Sequence, residues 1–235
     1  MRKYMIAIML LLISITVTGC FSGHVHYTIN NDDSGDISIK LAVDSALAGF
    51  LGEGMDPFED VVSEAKESGF QVSRFNEDGL MGIETKKHYS DCQQMFAEHN
   101  FLGTELGSKS NDVKIEKGFF LDTYKLETAV DMTDMAEGAD DEISRSVLSQ
   151  IKFDFILTLP AKATTHNASK VSDDERTYIW NLMAGQDNDI VLEAQKLNVT
   201  NIVLTVIAGI AVLVGLAVLM KKSKTRVQES VETDV

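Results

Sequence analysis

Cysteine and proline are scarce in this chain of 235 residues, which contains 2 of each. Cys20 stands at the end of a hydrophobic run, so Cys92 is the only cysteine left for a folded domain. We therefore predict no internal disulfide, and stability must come from a hydrophobic core. The low proline count and the 16 glycines also exclude a collagen-like or low-complexity chain.

Catalytic and nucleotide-binding motifs are missing as well. The sequence contains no Gly-x-Ser-x-Gly, no His-Glu-x-x-His, no phosphate-binding loop and no dinucleotide fingerprint. Leu159-Pro160-Ala161-Lys162 lacks the Thr-Gly of a sortase signal. We therefore predict no catalytic residues, no cofactor and no enzymatic activity.

Basic residues are few, with 21 Lys and Arg against 36 Asp and Glu. Residues 20–220 hold 15 of the basic and 33 of the acidic residues, which gives this part a net charge of −18. Such a surface repels phosphate backbones, so we predict that the protein does not bind nucleic acid.

Residues 1–19 have the layout of a secretory signal peptide. Arg2 and Lys3 precede an apolar run from Met5 to Val17, and small residues then lead to Cys20. This arrangement resembles the lipobox of bacterial lipoproteins, in which the chain is cut before the cysteine and its sulfur is diacylated. We predict cleavage between Gly19 and Cys20 and lipidation of Cys20. The alternative is an ordinary signal peptide, or an uncleaved helix, with a cysteine there by chance.

A second apolar run extends from Ile202 to Met220 and has no polar face. At about 1.5 Å per residue it spans the ~30 Å hydrocarbon core of a bilayer, so we predict a transmembrane helix over 199–220. A short tail over 221–235, first basic and then acidic, follows it. The positive-inside rule places this tail in the cytoplasm and residues 20–198 outside the cell. The basic residues that set this orientation are Lys221, Lys222, Lys224 and Arg226.

Small residues at Ala208, Ala211 and Gly215 lie one helical turn apart within the predicted span. Such a spacing lets two helices approach closely, so this face is a candidate for helix association.

The part between the two apolar segments predicts an α+β domain with mainly antiparallel sheet and a few helices. Apolar and polar residues alternate over Gly23–Asn30, Ile37–Val43 and Ile151–Leu159, which favours strands. Helices are expected from an N-cap at Asp56 and from a capping box that begins at Ser90. The first helix should bury a stripe of Phe58, Val61, Val62 and Ala65, and Gly69 should end it. We further predict strands over 70–75, 80–89, 177–182 and 190–194. The remaining predictions are extended chain over 114–130 with a break at Gly118, a loop over 102–112 and a short helix over 143–150.

Four patterns could hold a metal ion or a nucleophile. His24 and His26 lie two apart on a strand, as two metal ligands could, but no third ligand can be named. The calcium-loop pattern that starts at Asn30 has Leu41 at its twelfth position, where glutamate is needed. Cys92 could be a nucleophile with a neighbouring histidine, although Met95 and Phe96 on the same helix face argue for a buried thiol. The neighbouring histidines are His88 and His99.

The fourth pattern is an acidic run that could bind calcium. It consists of Asp131, Asp134, Glu137, Asp140, Asp141 and Glu142. We favour an acidic loop over a calcium site there, and we predict no metal.

Several segments together resemble the LppM-domain lipoproteins, envelope proteins of Gram-positive bacteria and mycobacteria. They are Cys20, the strand pair His24–Val43, Gly69-Phe70, Leu157-Thr158-Leu159-Pro160, His166-Asn167-Ala168 and Arg176-Thr177-Tyr178-Ile179-Trp180-Asn181. The resemblance implies an extracytoplasmic α/β domain with a part in binding envelope lipids, and it implies no catalytic residues.

The sequence thus favours a membrane-anchored lipoprotein that acts as a non-enzymatic binding module at the cell envelope. Its expected partners are the membrane, reached through the diacylglyceryl anchor and the transmembrane helix, and a lipid or another envelope protein. The alternatives are an accessory subunit of a membrane complex and, as the least favoured, an envelope hydrolase without a recognisable motif.

Overall fold

The computed structural model describes residues 21–50, 56–98, 108–136 and 148–232. These residues fall into two compact units. The larger takes in those of 1–115 and 124–195, and the smaller takes in those of 116–123 and 196–235.

The strands are β1 (Phe21–Ile29), β2 (Gly35–Asp44), β3 (Gln71–Glu77), β4 (Leu80–Tyr89), β5 (Ser108–Lys117), β6 (Leu121–Asp131), β7 (Ile151–Thr158), β8 (Ala163–His166), β9 (Lys170–Val171), β10 (Thr177–Leu182) and β11 (Asp187–Leu197). The helices are α1 (Ser45–Phe50), α2 (Glu59–Glu67), α3 (Cys92–Glu98) and α4 (Val199–Glu232), with a 3-10 turn at Thr133–Ala136.

The strands form two sheets. The first has seven strands in the order β3-β4-β2-β1-β7-β10-β9, and the second has four in the order β5-β6-β11-β8. Pairing in the first sheet is antiparallel except between β1 and β7, which run parallel with His24 opposite Asp154. The α+β class and the mainly antiparallel sheet are therefore confirmed, with one parallel pair that the sequence did not predict.

One hydrophobic core joins the inner faces of the two sheets. Tyr27, Phe155 and Trp180 of the first sheet pack in a row, with ring centroids 5.8 Å and 5.3 Å apart. Ile190 and Leu192 of the second sheet belong to the same buried cluster. The alternation seen in the sequence of β7 reflects this packing, because every second residue enters the core.

Asn167 ties the two sheets together next to this core. Its Oδ1 accepts hydrogen bonds from Trp180 Nε1 at 2.7 Å and from the backbone N–H of Val191 at 2.8 Å. Its Nδ2 donates to the backbone carbonyl of Asp189 at 2.9 Å. Two of the segments that carry the family resemblance, around Asn167 and Trp180, therefore meet in the structure.

A second, smaller cluster lies under α2 at the β2–β4 side of the first sheet. Phe58 and Val62 pack there on Val43 and Ile83. The predicted apolar stripe is wrong at one position, because Val61 is 39% exposed. The helix ends as predicted, with Gly69 at a φ of 80°.

Both predicted N-caps are shifted. In α2 the N-cap is Phe58, and Asp56 instead accepts a hydrogen bond from the Phe58 N–H at 3.0 Å, so the helix begins later than predicted. In α3 the side chain that accepts from the Gln93 N–H, at 2.8 Å, is Asp91 and not Ser90. Aspartate can accept from the second residue after it, and this local turn competes with the capping box.

Two further predictions differ from the structure. The loop expected over 102–112 is wrong from residue 108 onward, where β5 begins although its residues are mostly polar. The short strands β8 and β9 were not predicted, because four and two residues are too few for a periodic pattern. Most of the helix expected over 143–150 lies outside the described residues.

In the smaller unit, α4 contains an apolar segment, Val199–Val218, with a mean hydropathy of 2.6. Among the residues that the structure describes, this is the one helical segment long and apolar enough to cross a membrane. It agrees with the predicted span over 199–220.

Candidate functional site

The outer face of the seven-stranded sheet, which points away from the core, carries mostly polar side chains, with Phe75, Ile156 and Ile179 among them. It is formed by the residues that alternate with the core residues along each strand. They include Asp36, Ser38, Lys40, Phe75, Glu84, Lys86, His88, His24, His26, Lys152, Asp154, Thr158, Thr177 and Asn181. We call this surface the outer face.

A first row of hydrogen-bonded side chains crosses three strands of the outer face. Asp154 of β7 stands at its centre, with its Oδ2 3.1 Å from His24 Nδ1 on β1. Its Oδ1 accepts a hydrogen bond from Asn181 Nδ2 on β10 at 2.6 Å. The register places all three residues side by side, so the row is fixed by strand pairing.

A second row runs beside the first. His26 Nε2 lies 2.9 Å from Thr158 Oγ1, and that hydroxyl lies 2.8 Å from Thr177 Oγ1. Burial among these strands lowers the pKa of His26 below its usual value of 6.5, because the charged imidazolium is poorly solvated there. His26 is thus kept neutral at physiological pH, and its ring can both donate and accept hydrogen bonds.

A third group of polar side chains lies on β2 and β4. His88 Nδ1 is 2.7 Å from Asp36 Oδ1, and Asn30 Nδ2 donates to the other oxygen of Asp36 at 2.8 Å. Desolvation opposes ionisation of Asp36, but the hydrogen bonds from Asn30 and His88 outweigh it and lower the pKa of that carboxyl. A depression of about 560 Å³ lies at this end of the face, bordered by Asp36, Ser38, Lys86 and His88 together with Gly69 and Gln71.

The outer face is nearly neutral, in contrast to the rest of the domain. Its strands present four lysines and five acidic side chains, whereas residues 20–220 as a whole hold 15 basic and 33 acidic residues. These are Lys40, Lys86, Lys152, Lys170, Asp36, Asp44, Glu77, Glu84 and Asp154. Anionic ligands therefore meet less repulsion on this face than on the average surface of the domain.

The arrangement does not assemble a nucleophile with a base and an orienting acid. In these two rows the hydroxyl groups of Thr158 and Thr28 lie beside His26, whereas the carboxylate of Asp154 lies beside His24. A catalytic triad needs hydroxyl and carboxylate on the same imidazole. These two rows therefore provide hydrogen-bonding groups and not an activated nucleophile.

The two histidines proposed as metal ligands each contact a different side chain of the protein. His24 and His26 share a face, as the alternation predicts, but they contact Asp154 and Thr158 respectively. Within 21–50, 56–98, 108–136 and 148–232, no three His, Cys, Asp or Glu side chains are grouped so that they could hold a metal ion.

The other candidate nucleophile and metal-binding residues lie in the core, in a hairpin turn or in local side-chain contacts, as far as the structure describes them. Cys92 is buried in the same core cluster as Tyr27 and Met95. His88 pairs with Asp36 on the outer face, and His99 lies outside the described residues. The calcium-like sequence at Asn30 is a hairpin turn, with Asp33 at a φ of 70°. Of the acidic run, Asp131 accepts hydrogen bonds from the N–H and the hydroxyl of Thr133, and residues 137–142 lie outside the described part.

The residues predicted to set the membrane topology stay predictions. Gly19 and Cys20 lie outside the described residues. Ala208, Ala211 and Gly215 lie on the apolar part of α4, and the basic residues Lys221, Lys222, Lys224 and Arg226 lie in its C-terminal part.

An apolar crevice lies between the two sheets of the larger unit, but it is narrow. Its volume is about 10 Å³, close to the least space that holds one water molecule. It is lined mainly by Ile29, Phe96, Ile115, Leu126, Leu159 and Leu192. In this conformation it has no room for an acyl chain.

The family model described as the LppM domain matches residues 23–196, which include every residue of the three polar groups and both sheets apart from Phe21, Ser22 and Leu197. The chain belongs to the LppM-domain family. The resemblance found in the sequence is thereby confirmed. The NMR structure of the folded domain of LppM from Mycobacterium tuberculosis is similar to this chain at 16% sequence identity and a TM-score of 0.49, over 78% of this chain and 94% of that chain. No curated protein matches the sequence significantly.

Sequence reasoning singled out His24 and His26 but missed their partners. The strands that carry these partners were predicted, and the partners occupy the polar positions of their alternating patterns. They are Asp154, Thr158 and Asn181. The alternation was the sequence feature that could have identified them. Their role depends on which strands pair, and β1 and β7 are far apart in the chain.

The lowered pKa of His26 predicts a specific pH dependence of stability. A neutral histidine is favoured by the fold, so the unfolded state binds more protons, and the free energy of unfolding falls as the pH falls through 6.5. The carboxyls with lowered pKa, such as Asp36, lose their contribution only at more acidic pH. We expect His26→Gln to reduce the loss of stability between pH 7.5 and 5, measured by urea unfolding. Equal slopes in native protein and His26→Gln would contradict the assignment.

Proposed function

We propose that this protein is a non-enzymatic, membrane-anchored module outside the cell that binds a hydroxyl-rich ligand on the outer face. The ligand chemistry is that of sugar hydroxyls, as in an envelope glycan or the headgroup of a glycolipid. The observation that carries the proposal is the outer face itself, with three groups of mutually hydrogen-bonded polar side chains on an almost neutral surface.

The chemical variety of the outer face supports a hydroxyl-rich ligand. Asp154 and Asp36 offer carboxylate acceptors, Asn181 an amide, and His26 a neutral imidazole. A sugar hydroxyl donates one hydrogen bond and accepts others, so it suits a surface that presents donors and acceptors side by side. Because the side chains already hold one another in place, binding costs little conformational entropy.

The predicted anchors would hold the larger unit at the membrane surface, where lipid headgroups lie. The apolar segment Val199–Val218 supports one membrane anchor, and lipidation of Cys20 would supply a second close to the start of β1. The basic residues after the span favour a cytoplasmic C-terminus and an external domain. A headgroup ligand is therefore within reach, and the narrow crevice between the sheets argues for contact with the headgroup and against enclosure of the acyl chains.

The proposal predicts that Asp154→Ala weakens binding. This change removes the carboxylate that would accept a hydrogen bond from a sugar hydroxyl, and losing one hydrogen bond to a charged group costs about 1.5–3 kcal/mol, or roughly tenfold or more in affinity. It also removes the acceptor that holds His24 and Asn181 in place. The matched control is Asp60→Ala, which removes an exposed carboxylate from α2 and should bind as the native protein does. Far-ultraviolet circular dichroism checks that both variants are folded.

The measurement is isothermal titration of the full chain in phosphatidylcholine nanodiscs. One titrant is a short-chain diglucosyl diacylglycerol and the other is the free disaccharide. Binding of both indicates recognition of the sugar alone, whereas binding of only the glycolipid indicates a lipid ligand. Binding of neither, or equal binding by the two alanine variants, would contradict the proposal.

A further inference from the structure

The hairpin between β5 and β6 exposes three large apolar side chains in succession. Phe119, Phe120 and Leu121 are 64%, 49% and 37% exposed. The two rings pack edge to face, with centroids 4.8 Å apart. Single exposed apolar residues are common, but three adjacent ones at a hairpin tip mark a surface that meets an apolar partner. We call Phe119–Leu121 the aromatic tip.

The aromatic tip is hydrogen-bonded to Asn198, which directly precedes the apolar helix α4, and to Asn201 in its first turn. The backbone N–H of Asn198 donates to the carbonyl of Phe120 at 2.9 Å, and Asn201 Nδ2 donates to the carbonyl of Phe119 at 2.9 Å. Tip and helix belong to the same compact unit. The apolar span begins at Val199, so these bonds fix the tip at the end of the span that enters the membrane.

The hairpin is built for this exposure. A Cβ at Gly118 would lie 2.2 Å from the carbonyl oxygen of Leu121, so only glycine permits this tight turn. At the base of the tip, Lys117 Nζ lies 3.5 Å from Asp122 Oδ2, so these two charges are paired. The tip itself carries no charge, which suits the boundary between headgroups and acyl chains, where Trp, Phe and Leu side chains insert.

We propose that the aromatic tip inserts into the membrane–water interface on the extracellular side of the bilayer, beside α4, and forms a second contact with the bilayer. This inference rests on the membrane span of the proposed function, but it does not depend on the ligand of the outer face. Its partner is the lipid bilayer, because the tip is held at the residue where the span starts.

The test uses tryptophan fluorescence of the full chain in nanodiscs that contain brominated lipids. The native protein has a single tryptophan, Trp180, which is buried and supplies the background. We expect Phe120→Trp to emit at shorter wavelength than an exposed indole and to be quenched at least about twofold more than Trp180, most strongly by bromine at shallow acyl positions. Phe119→Trp serves as a second variant in case one substitution disturbs the hairpin.

Two reference positions make the outcomes distinguishable. Ile210→Trp, near the middle of the span, should be quenched most by deep bromine, whereas Met183→Trp reports an exposed position on the larger unit. Quenching at residue 210 without quenching at either tip position would overturn this inference and leave the span intact. An absence of quenching at residue 210 would overturn both the span and the tip. Equal quenching at residues 183 and 120 would also overturn the inference, since the contact would not be specific to the tip.

Discussion

Replacing Gly82 with alanine should destabilise the domain by about 3 kcal/mol, because the added methyl group has no space between the central strands. A Cβ at Gly82 of β4 would lie 2.0 Å from the carbonyl oxygen of Leu41 and 2.9 Å from Cα of Ala42, both on β2. It would also lie 2.7 Å from the ring of Phe75. Backbone atoms cannot move without breaking the strand pairing, so the clash should outweigh the entropic gain of about 0.4–1 kcal/mol that alanine gives at an unstrained glycine.

The matched control for this substitution is Gly35→Ala, which lies on β2 in the same sheet. There the added Cβ would meet mainly the end of the Met95 side chain, at 2.8 Å, and a thioether can change rotamer. We expect a loss of no more than about 1.5 kcal/mol for Gly35→Ala. Urea unfolding of the full chain in detergent, followed through the emission of buried Trp180, measures both values. An unchanged stability of Gly82→Ala would contradict the pairing of β2 with β4.

Replacing Cys20 with serine should abolish lipidation. The thioether that holds a diacylglyceryl group forms on a thiolate, and a serine hydroxyl is too weak an acid to replace it. We expect the intact mass of the native protein extracted from membranes to include a diacylglyceryl group and to lack residues 1–19. The mass of Cys20→Ser should show no such group, while the protein stays in the membrane through the apolar span.

The control for the lipidation experiment is Cys92→Ser. Cys92 is buried in the core, so its replacement should leave the mass increment unchanged. A native protein without the increment would contradict the predicted lipobox and leave α4 as the membrane anchor supported by the structure.

Secondary structure was predictable from the sequence wherever a strand buries one of its two faces. The alternation in β1, β2 and β7 predicts these strands because Tyr27, Ile37 and Phe155 enter the core and their neighbours do not. β5 was missed at its start because Ser108 to Asp112 offers no apolar alternation. The helix starts were misplaced by one or two residues because aspartate can form a local turn in place of a capping box.

The outer face was less predictable than the strands that carry it. The His26 and Thr158 side chains that meet on it are 132 residues apart in the chain, and they meet because β1 and β7 pair in parallel. Parallel pairing needs no hairpin and leaves no turn signal in the sequence. The histidines could therefore be identified as neighbours of each other, but not as neighbours of Asp154 or Thr158.

The position of the aromatic tip could not be predicted from the sequence either. The sequence indicates a break at Gly118, and the two phenylalanines follow it directly. Their attachment to the start of α4 depends on hydrogen bonds from Asn198 and Asn201, which are about 80 residues further along the chain. Exposure and attachment become visible only in the folded chain.

Photocrosslinking with a disaccharide that carries a diazirine tests the central claim most directly. The full chain in nanodiscs is irradiated with the probe, and the labelled peptides are identified by mass spectrometry. We predict adducts on β1, β7 and β10, near His24, Asp154 and Asn181, and competition by unlabelled disaccharide. Adducts confined to α4 or to the crevice around Leu126 and Leu192, or labelling that the unlabelled sugar does not reduce, would contradict binding on the outer face.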